Sequence, residues 1–317
     1  MKLALAGDTM LGRGVAEALA EREPASLVAP EVVALAREAD LFVLNLECCI
    51  SERGQPWPAA GKPFFFRAPP RATELLVHLG VGCVTLANNH ALDFGEEALL
   101  DTFDHLAAAG IAWVGAGRDL ERARAPVVVE AGGERVGVFA FSDHPEDFAA
   151  APGSPGIAWA DLREGFPDWA RERIGALDAE VVVAEPHWGP NMKDRPLRYV
   201  REAAAELRRA GATLVAGHSA HVVQGVEGTV LYDLGDFLDD YRVDARLRND
   251  LGLLFLLEID EGEPRRLEAI PLKLEYCFTR TAEGDDAAWI RRRFRELCAE
   301  LGTDTTESDG RVVIDWT

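Results

Sequence analysis

Five times in this sequence a short apolar run ends on polar side chains able to bind a cation. Residues 2–6 run into Gly7-Asp8, 41–44 into Asn45-Leu46-Glu47, and 81–86 into Asn88-Asn89-His90. Residues 179–184 run into His187-Trp188-Gly189, and 212–216 into GHSAH at 217–221. Runs this short, with β-branched centres, read as buried strands. Open α/β sheets place their chemistry at the carboxyl ends of strands. His218 and His221, three residues apart after Gly217, can converge on one metal ion or on two adjacent ones. One fold has to serve all five strand ends at once, and that narrows the choice more than any single cluster.

Between these runs the periodicity turns helical, over residues 11–23, 31–38, 72–79, 95–109, 161–177, 197–210 and 285–301. Leu99, Leu100, Phe103 and Leu106 show the spacing, and Gly110 ends it. Residues 126–141, with Gly132-Gly133 at the centre, read as a hairpin. Residues 225–234, 252–259, 267–276 and 312–316 read as further strands. Strand and helix alternate through the first two thirds, and the last third is largely antiparallel. This predicts an α/β fold of two facing sheets of mixed direction, covered by helices. No Pro/Ser/Gly-rich linker divides the 317 residues, so a single domain over 1–317 is expected. Residues 51–70 are rich in Pro and Gly and carry Trp57, Phe64, Phe65 and Phe66. They read as a loop with one short strand, serving either as a lid or substrate wall or as an aromatic cap on the core.

Composition excludes some functions. A net charge of −21 argues against nucleic acid and against an anionic membrane surface. An anionic substrate stays open, because bound cations reverse the local field. The five cysteines are odd in number and form no CxxC, so they read as reduced, buried thiols. Glu47 beside Cys48 raises a thiol pKa, which argues against a catalytic cysteine there. Neither a signal-peptide pattern nor an apolar run of membrane-spanning length is visible. The expectation is a soluble cytoplasmic protein, with no sequence signal for its oligomeric state.

Asp8, Glu47, Asn89, His187, His218 and His221 supply two carboxylates, one amide oxygen and three imidazoles. Such a set suits one or two divalent ions with a bridging carboxylate. Mixed nitrogen and oxygen donors favour Mn²⁺, Zn²⁺ or Fe over Mg²⁺ or Ca²⁺. His90, next to Asn89, would face the leaving group as general acid. Asp93 caps the following helix or orients His90. Arg13 clamps a substrate anion or pairs with a nearby Asp. Asp236, Asp239 and Asp240 read as a solvated loop face. His78, His105 and His144 have no supporting cluster, and Trp188 reads as packing.

GDTMLGR (7–13), NLE (45–47), ANNHALDFG (87–95), HWG (187–189), GHSAHVVQ (217–224) and LYDLGDF (231–237) follow one another in order. Taken together they resemble the CapA family of poly-γ-glutamate capsule synthesis proteins, within the calcineurin-like metallophosphoesterase superfamily. That resemblance implies a four-layer α/β/β/α sandwich with a dinuclear site between the sheets. It implies that Asp8 binds one metal, Glu47 bridges, Asn89, His187 and His218 hold the second, His221 completes the first, and His90 donates a proton. The sequence departs from the pattern at several positions. Met10 stands where most metallophosphoesterases carry histidine, and Glu47 replaces an aspartate. Asn191 and Asp236 stand where the capsule family often has an acidic residue and an asparagine. Family members are also often exported and membrane-anchored, and this sequence shows no signal for either, so neither is expected. The expected function is metal-dependent hydrolysis of a phosphoester-type substrate, either a small molecule or a peptide. Its rivals are a metal-dependent isomerase or epimerase moving a proton on a peptide or amino-acid derivative, and a non-catalytic poly-γ-glutamate synthesis or binding protein.

Overall fold

A strand with protein on both faces has to be apolar along its length. Leu41–Leu46 is buried at every position and Lys2–Thr9 at all but its first. In the computed structural model, which describes residues 1–58 and 61–316, these two strands pair in parallel at the centre of a ten-stranded mixed sheet. Cys83–Thr85 and Ala112–Val114 extend it in parallel on one side. Leu251–Asp260, Glu263–Glu275, Arg311–Asp315 and Thr306–Ser308 follow antiparallel on the other. A second sheet runs in the order Val226–Glu227, Val230–Leu231, Leu214–Ala216, Val181–His187, Glu134–Ser142 and Val127–Ala131. Its middle strands are parallel and its two edge pairs antiparallel.

Alternate residues of a strand face opposite ways, and here they divide between separate cores. Ala4, Ala6, Phe42 and Leu44 join Val15, Leu19, Leu76 and Phe103 from the helices. Leu3, Leu5, Leu41 and Val43 join Val136, Val138, Val181 and Leu214 of the second sheet. That sheet's other face, with Phe139, Val182 and Val215, packs on Ile174, Val200, Ala203 and Leu207. The expected mixed α/β character holds, with eight α-helices among the described residues.

The segment 161–177 holds a helix as expected, Asp168–Gly175, with Pro167 at its N-cap in extended conformation, while other elements differ. The run 225–234 is a short hairpin, Val226–Glu227 with Val230–Leu231, turned at Gly228 with φ +58°. Asp236–Leu238 is a separate strand parallel to Lys2–Thr9. The loop expected over 51–70 returns on itself, since Arg67–Ala68 pairs with Cys49–Ile50; its residues 59 and 60 lie outside the described residues. Among the described residues, no helix is long and apolar enough to cross a membrane.

One glycine sets the direction of Asp8. The pairing of Lys2–Thr9 with Leu41–Leu46 shifts register between Ala6 and Asp8. Without that bulge, Asp8 would follow Ala4 and Ala6 onto the helix-covered face. With it, Asp8 faces the same way as its partner Asn45, toward the second sheet. A Cβ on Gly7 would lie 1.8 Å from the carbonyl oxygen of Gly235, which accepts the amide of Asp8 at 2.8 Å. Gly7→Ala is therefore expected to lower the unfolding free energy by about 2–3 kcal/mol through overpacking. Urea unfolding with an unchanged m-value checks this.

Candidate metal centre

The strand ends bring their polar residues together. Asp8, Glu47, His187, His218 and His221 are all at least nine-tenths buried. Donor atoms of Asp8, Glu47 and His187 lie within 4.8 Å of one another, and so do those of Asp8, His221 and Asp236. Asp8 is thus common to both groups, the position expected of Glu47. Glu47 also approaches the second group, with Oε2 4.0 Å from His221 Nδ1. His218 Nδ1 lies 3.3 Å from Asp8 Oδ1, and His221 Nδ1 lies 3.4 Å from Asp8 Oδ2. Donors around one ion at ordinary bond lengths sit roughly 3.0–3.5 Å apart, and the spacings of His218 and His221 to Asp8 fall in that range, while the others are looser.

Unpaired atoms test the fit independently. Glu47 Oε1, Asn89 Oδ1 and Asp236 Oδ2 are buried without a hydrogen-bond partner. A buried polar atom left unpaired costs about 1–3 kcal/mol, and more when charged. Glu47 and Asp236 belong to the two donor groups that share Asp8, so a divalent cation at either group could satisfy their free oxygens.

The electrostatics agree. Burial works against a charged Asp8, yet His218, His221 and His187 hold its carboxyl well below the usual range. Burial and the neighbouring Asp8 push Glu47 up to about 8. Burial drives the His187 imidazole well below its ordinary value, which leaves it neutral as a ligand must be. Burial also opposes charge on His218, but hydrogen bonds to Asp8 and Glu185 raise it to about 10.

Partners around the donors fix their directions. Asn45 Nδ2 donates to Asp8 Oδ1 at 2.8 Å, while Thr85 and Asn88 donate to Asn45 Oδ1 at 2.8 and 2.9 Å. Glu185 Oε2 sits 2.8 Å from His218 Nε2, which leaves Nδ1 to face Asp8. Asp233 accepts from the amides of Ala220 and Gly235 at 2.8 and 2.9 Å, holding the loop that carries both late histidines. Glu185 went unforeseen, although a signal existed. It shares the phase of Val181, Val183 and His187, and a carboxylate inside an apolar run has to be paired.

His90 stacks on Phe66 with centroids 3.9 Å apart, and its Nδ1 is 2.5 Å from Asp93 Oδ2. Burial, more than Asp93 offsets, brings this imidazole down to about 4. Asp93 also accepts from Phe66 N at 2.6 Å and pairs with Lys62 at 2.9 Å. The following helix has Phe94 at its N-cap, so Asp93 orients His90 and does not cap. Of the two roles open to Arg13, the structure pairs it: its guanidinium engages Asp240, with Nε 3.1 Å from Oδ2, among Phe64, Phe66 and Tyr241. The Met10 sulfur accepts from Gly12 N at 3.1 Å within the helix-side core and gives the centre no donor.

Two expectations need correction. Asp236 and Asp239 do not belong to a solvated face: they are 2% and 5% exposed, because the Asp236–Leu238 strand inserts beside Lys2–Thr9. His144, expected to stand alone, lies with its ring centroid 5.3 Å from that of His187. Trp188 packs as expected and donates to Tyr232 O at 2.9 Å. All five cysteines are free and buried, and burial pushes Cys49 up to about 12. A cavity of about 430 Å³ opens onto the centre, lined in part by Phe64, Phe66, His90, Met192, His221 and Tyr241. Phe66 is therefore both part of the core and a wall of the cavity, while Phe64 is half exposed.

Glu185→Gln removes the carboxylate that fixes the His218 imidazole. Mn²⁺ or Zn²⁺ affinity is expected to fall about 10–100-fold with the fold kept, as for other lost partners of metal-binding histidines. Calorimetric titration beside a circular dichroism spectrum checks this.

Residues 2–241 match the family described as bacterial capsule synthesis protein PGA_cap. The chain is 31% identical to a probable polyglutamine synthesis accessory protein of Mycobacterium tuberculosis, over 94% of this chain and 91% of that one. It is 26% identical to the PGA biosynthesis protein CapA of Bacillus subtilis, over 98% of this chain and 80% of that one. The fold is similar to the crystal structure of a hypothetical protein from Thermus thermophilus. The TM-score is 0.50 at 16% identity, over 86% of this chain and 99% of that one, a likeness of fold alone. With its motifs in order and three quarters of its length matched, the chain belongs to the bacterial capsule synthesis protein family.

Proposed function

We propose that this chain is a divalent-metal-dependent hydrolase of a phosphoester-type substrate that works alongside glutamate-polymer synthesis. The fold proposed for it has four layers, helices, sheet, sheet, helices, with the centre between the sheets. Three separate apolar cores support that layering. One observation carries the function: buried carboxylate oxygens without partners converge with neutral His187 beside an open cavity. Asp8, Glu47 and His187 would hold an ion there, with Asn89 and His218 as further donors. When bound, it supplies a Lewis acid that lowers the pKa of a water and offsets phosphoryl charge.

The chain's own residues do the rest. Asp93 and Phe66 hold the His90 ring, leaving Nε2 as the nitrogen free to exchange a proton. In the role of acid, His90 gains its proton as an anionic substrate arrives and raises its pKa. Phe64, Phe66 and Tyr241 exclude water from one side of the cavity. The names of the relatives support a glutamyl polymer, or a compound made with it, as the substrate class.

His90 also favours a second reading. Held neutral, with Nδ1 turned to Asp93, it presents a lone pair, as a base abstracting a proton beside a metal-polarised carbonyl would. That chemistry would make the chain an isomerase or epimerase of a glutamyl peptide.

With Mn²⁺ or Zn²⁺ added, turnover of nitrophenyl phosphate mono- or diesters is expected, lost on chelation and restored by metal. His90→Ala should lower kcat about 10²–10⁴-fold, with metal content and unfolding midpoint unchanged. Deuterium uptake from D₂O into a glutamyl peptide, without phosphoester turnover, would move the assignment to proton transfer. Metal binding with neither activity would leave a binding role.

A further inference from the structure

We infer that Asp236 is a direct ligand of a second cation, held together with Asp8 and His221 and distinct from the ion placed at Asp8, Glu47 and His187. The inference rests on the metal-centre reading above and on the two ions that the family resemblance implies, and it adds a ligand outside the expected set.

Backbone register brings the carboxylates together. Asp236 and Asp8 are Cα partners in adjacent parallel strands, so their side chains leave the sheet at one level. Asp236 Oδ1 lies 2.8 Å from His221 Nδ1, which is itself 3.4 Å from Asp8 Oδ2. Asp236 Oδ2 is buried and has no partner. A carboxylate needed only to orient His221 would spend one oxygen on it and leave the other in water or on a donor. Here the second oxygen is enclosed.

Local strain supports the same reading. Ser219 has φ +107° and His221 φ +57°, conformations that non-glycine residues seldom adopt. The Asp233 carboxylate holds this stretch in place through Ala220 N. Strain that the surrounding structure maintains is common where a side chain must be aimed, and the chain aims His221 at Asp236. Charge points the same way. With Asp8, Glu47 and Asp236 all ionised, a single dication would leave the buried cluster net negative behind His221, which lines the cavity. A second dication reverses that sign and admits an anionic substrate into a chain of net charge −21.

Asp236→Asn separates ligand from orienting partner, because the amide oxygen still accepts a hydrogen bond from His221 while losing the charge that binds metal. Mn²⁺ titration with elemental analysis should give two ions for the wild type. It should give one for Asp236→Asn and one for His221→Gln, the weaker Kd rising at least about tenfold. The electron paramagnetic resonance signature of a coupled Mn²⁺ pair should vanish in both variants. His187→Ala should remove the other ion and leave this one. Two ions bound by Asp236→Asn with unchanged affinities would overturn the inference and leave Asp236 a hydrogen-bond acceptor. A wild type that binds a single ion would overturn it too, whichever variant removes that ion, while the proposed hydrolase stands. No uptake of Mn²⁺ or Zn²⁺ at all would overturn both.

Discussion

Carboxylates that share a space closed to water lose their hydration and repel one another, and everything at the strand ends of this protein answers to that constraint. Asp8, Glu47 and Asp236 converge where almost no solvent reaches them. Their charges are met by imidazoles, which must then be charged, or by cations, which leave the imidazoles neutral. The first solution splits the site against itself: Glu47 rises to about 8 while His218 rises to about 10. The second satisfies the oxygens that otherwise have no partner. Buried ion groups of this kind contribute little to stability by themselves. Their presence in the most expensive part of the fold argues for chemistry.

Much of this was legible in the sequence. The apolar runs ending in polar clusters became buried strands whose ends meet. Period-two phasing accounts for which side chains face the second sheet: Asn45 and Glu47 follow Val43, and His187 follows Val183. What escaped depended on contacts between distant segments. Asp236 lies in DLGDFLDD, where acidic spacing resembles a solvated loop; only its pairing with Lys2–Thr9 buries it. The partner of Arg13 is Asp240, more than two hundred residues away. The Met10 departure could be read, but not the substitute donor, because none lies near it in the chain.

The wall of the cavity shows how a loop can be core and site together. Phe66 is buried beneath His90 and donates its amide to Asp93, the same carboxylate that holds the His90 ring. Lys62 of that loop balances Asp93. The two readings of the 51–70 loop are therefore not rivals at Phe66, since the ring that seals the core also sets the angle of the imidazole. Phe64, half exposed at the rim and 5.1 Å from the Arg13 guanidinium, meets whatever enters.

A single polar ladder joins Asp8 to His90. Asp8, Asn45 and Thr85 are successive Cα partners across three parallel strands. Asn45 donates to Asp8 and accepts from Thr85 and Asn88, and Asn88 accepts from the amide of His90 at 3.0 Å. The Gly7 bulge is what brings Asp8 into this ladder, and the turn at Asn88 carries it to His90. A shift of one residue at Gly7 would therefore do more than misplace one ligand. It would leave Asn45 without its acceptor, and the turn that presents His90 would lose one of its anchors. The distance between Asp8 and His90 is set by strand register, the least compliant dimension a sheet has.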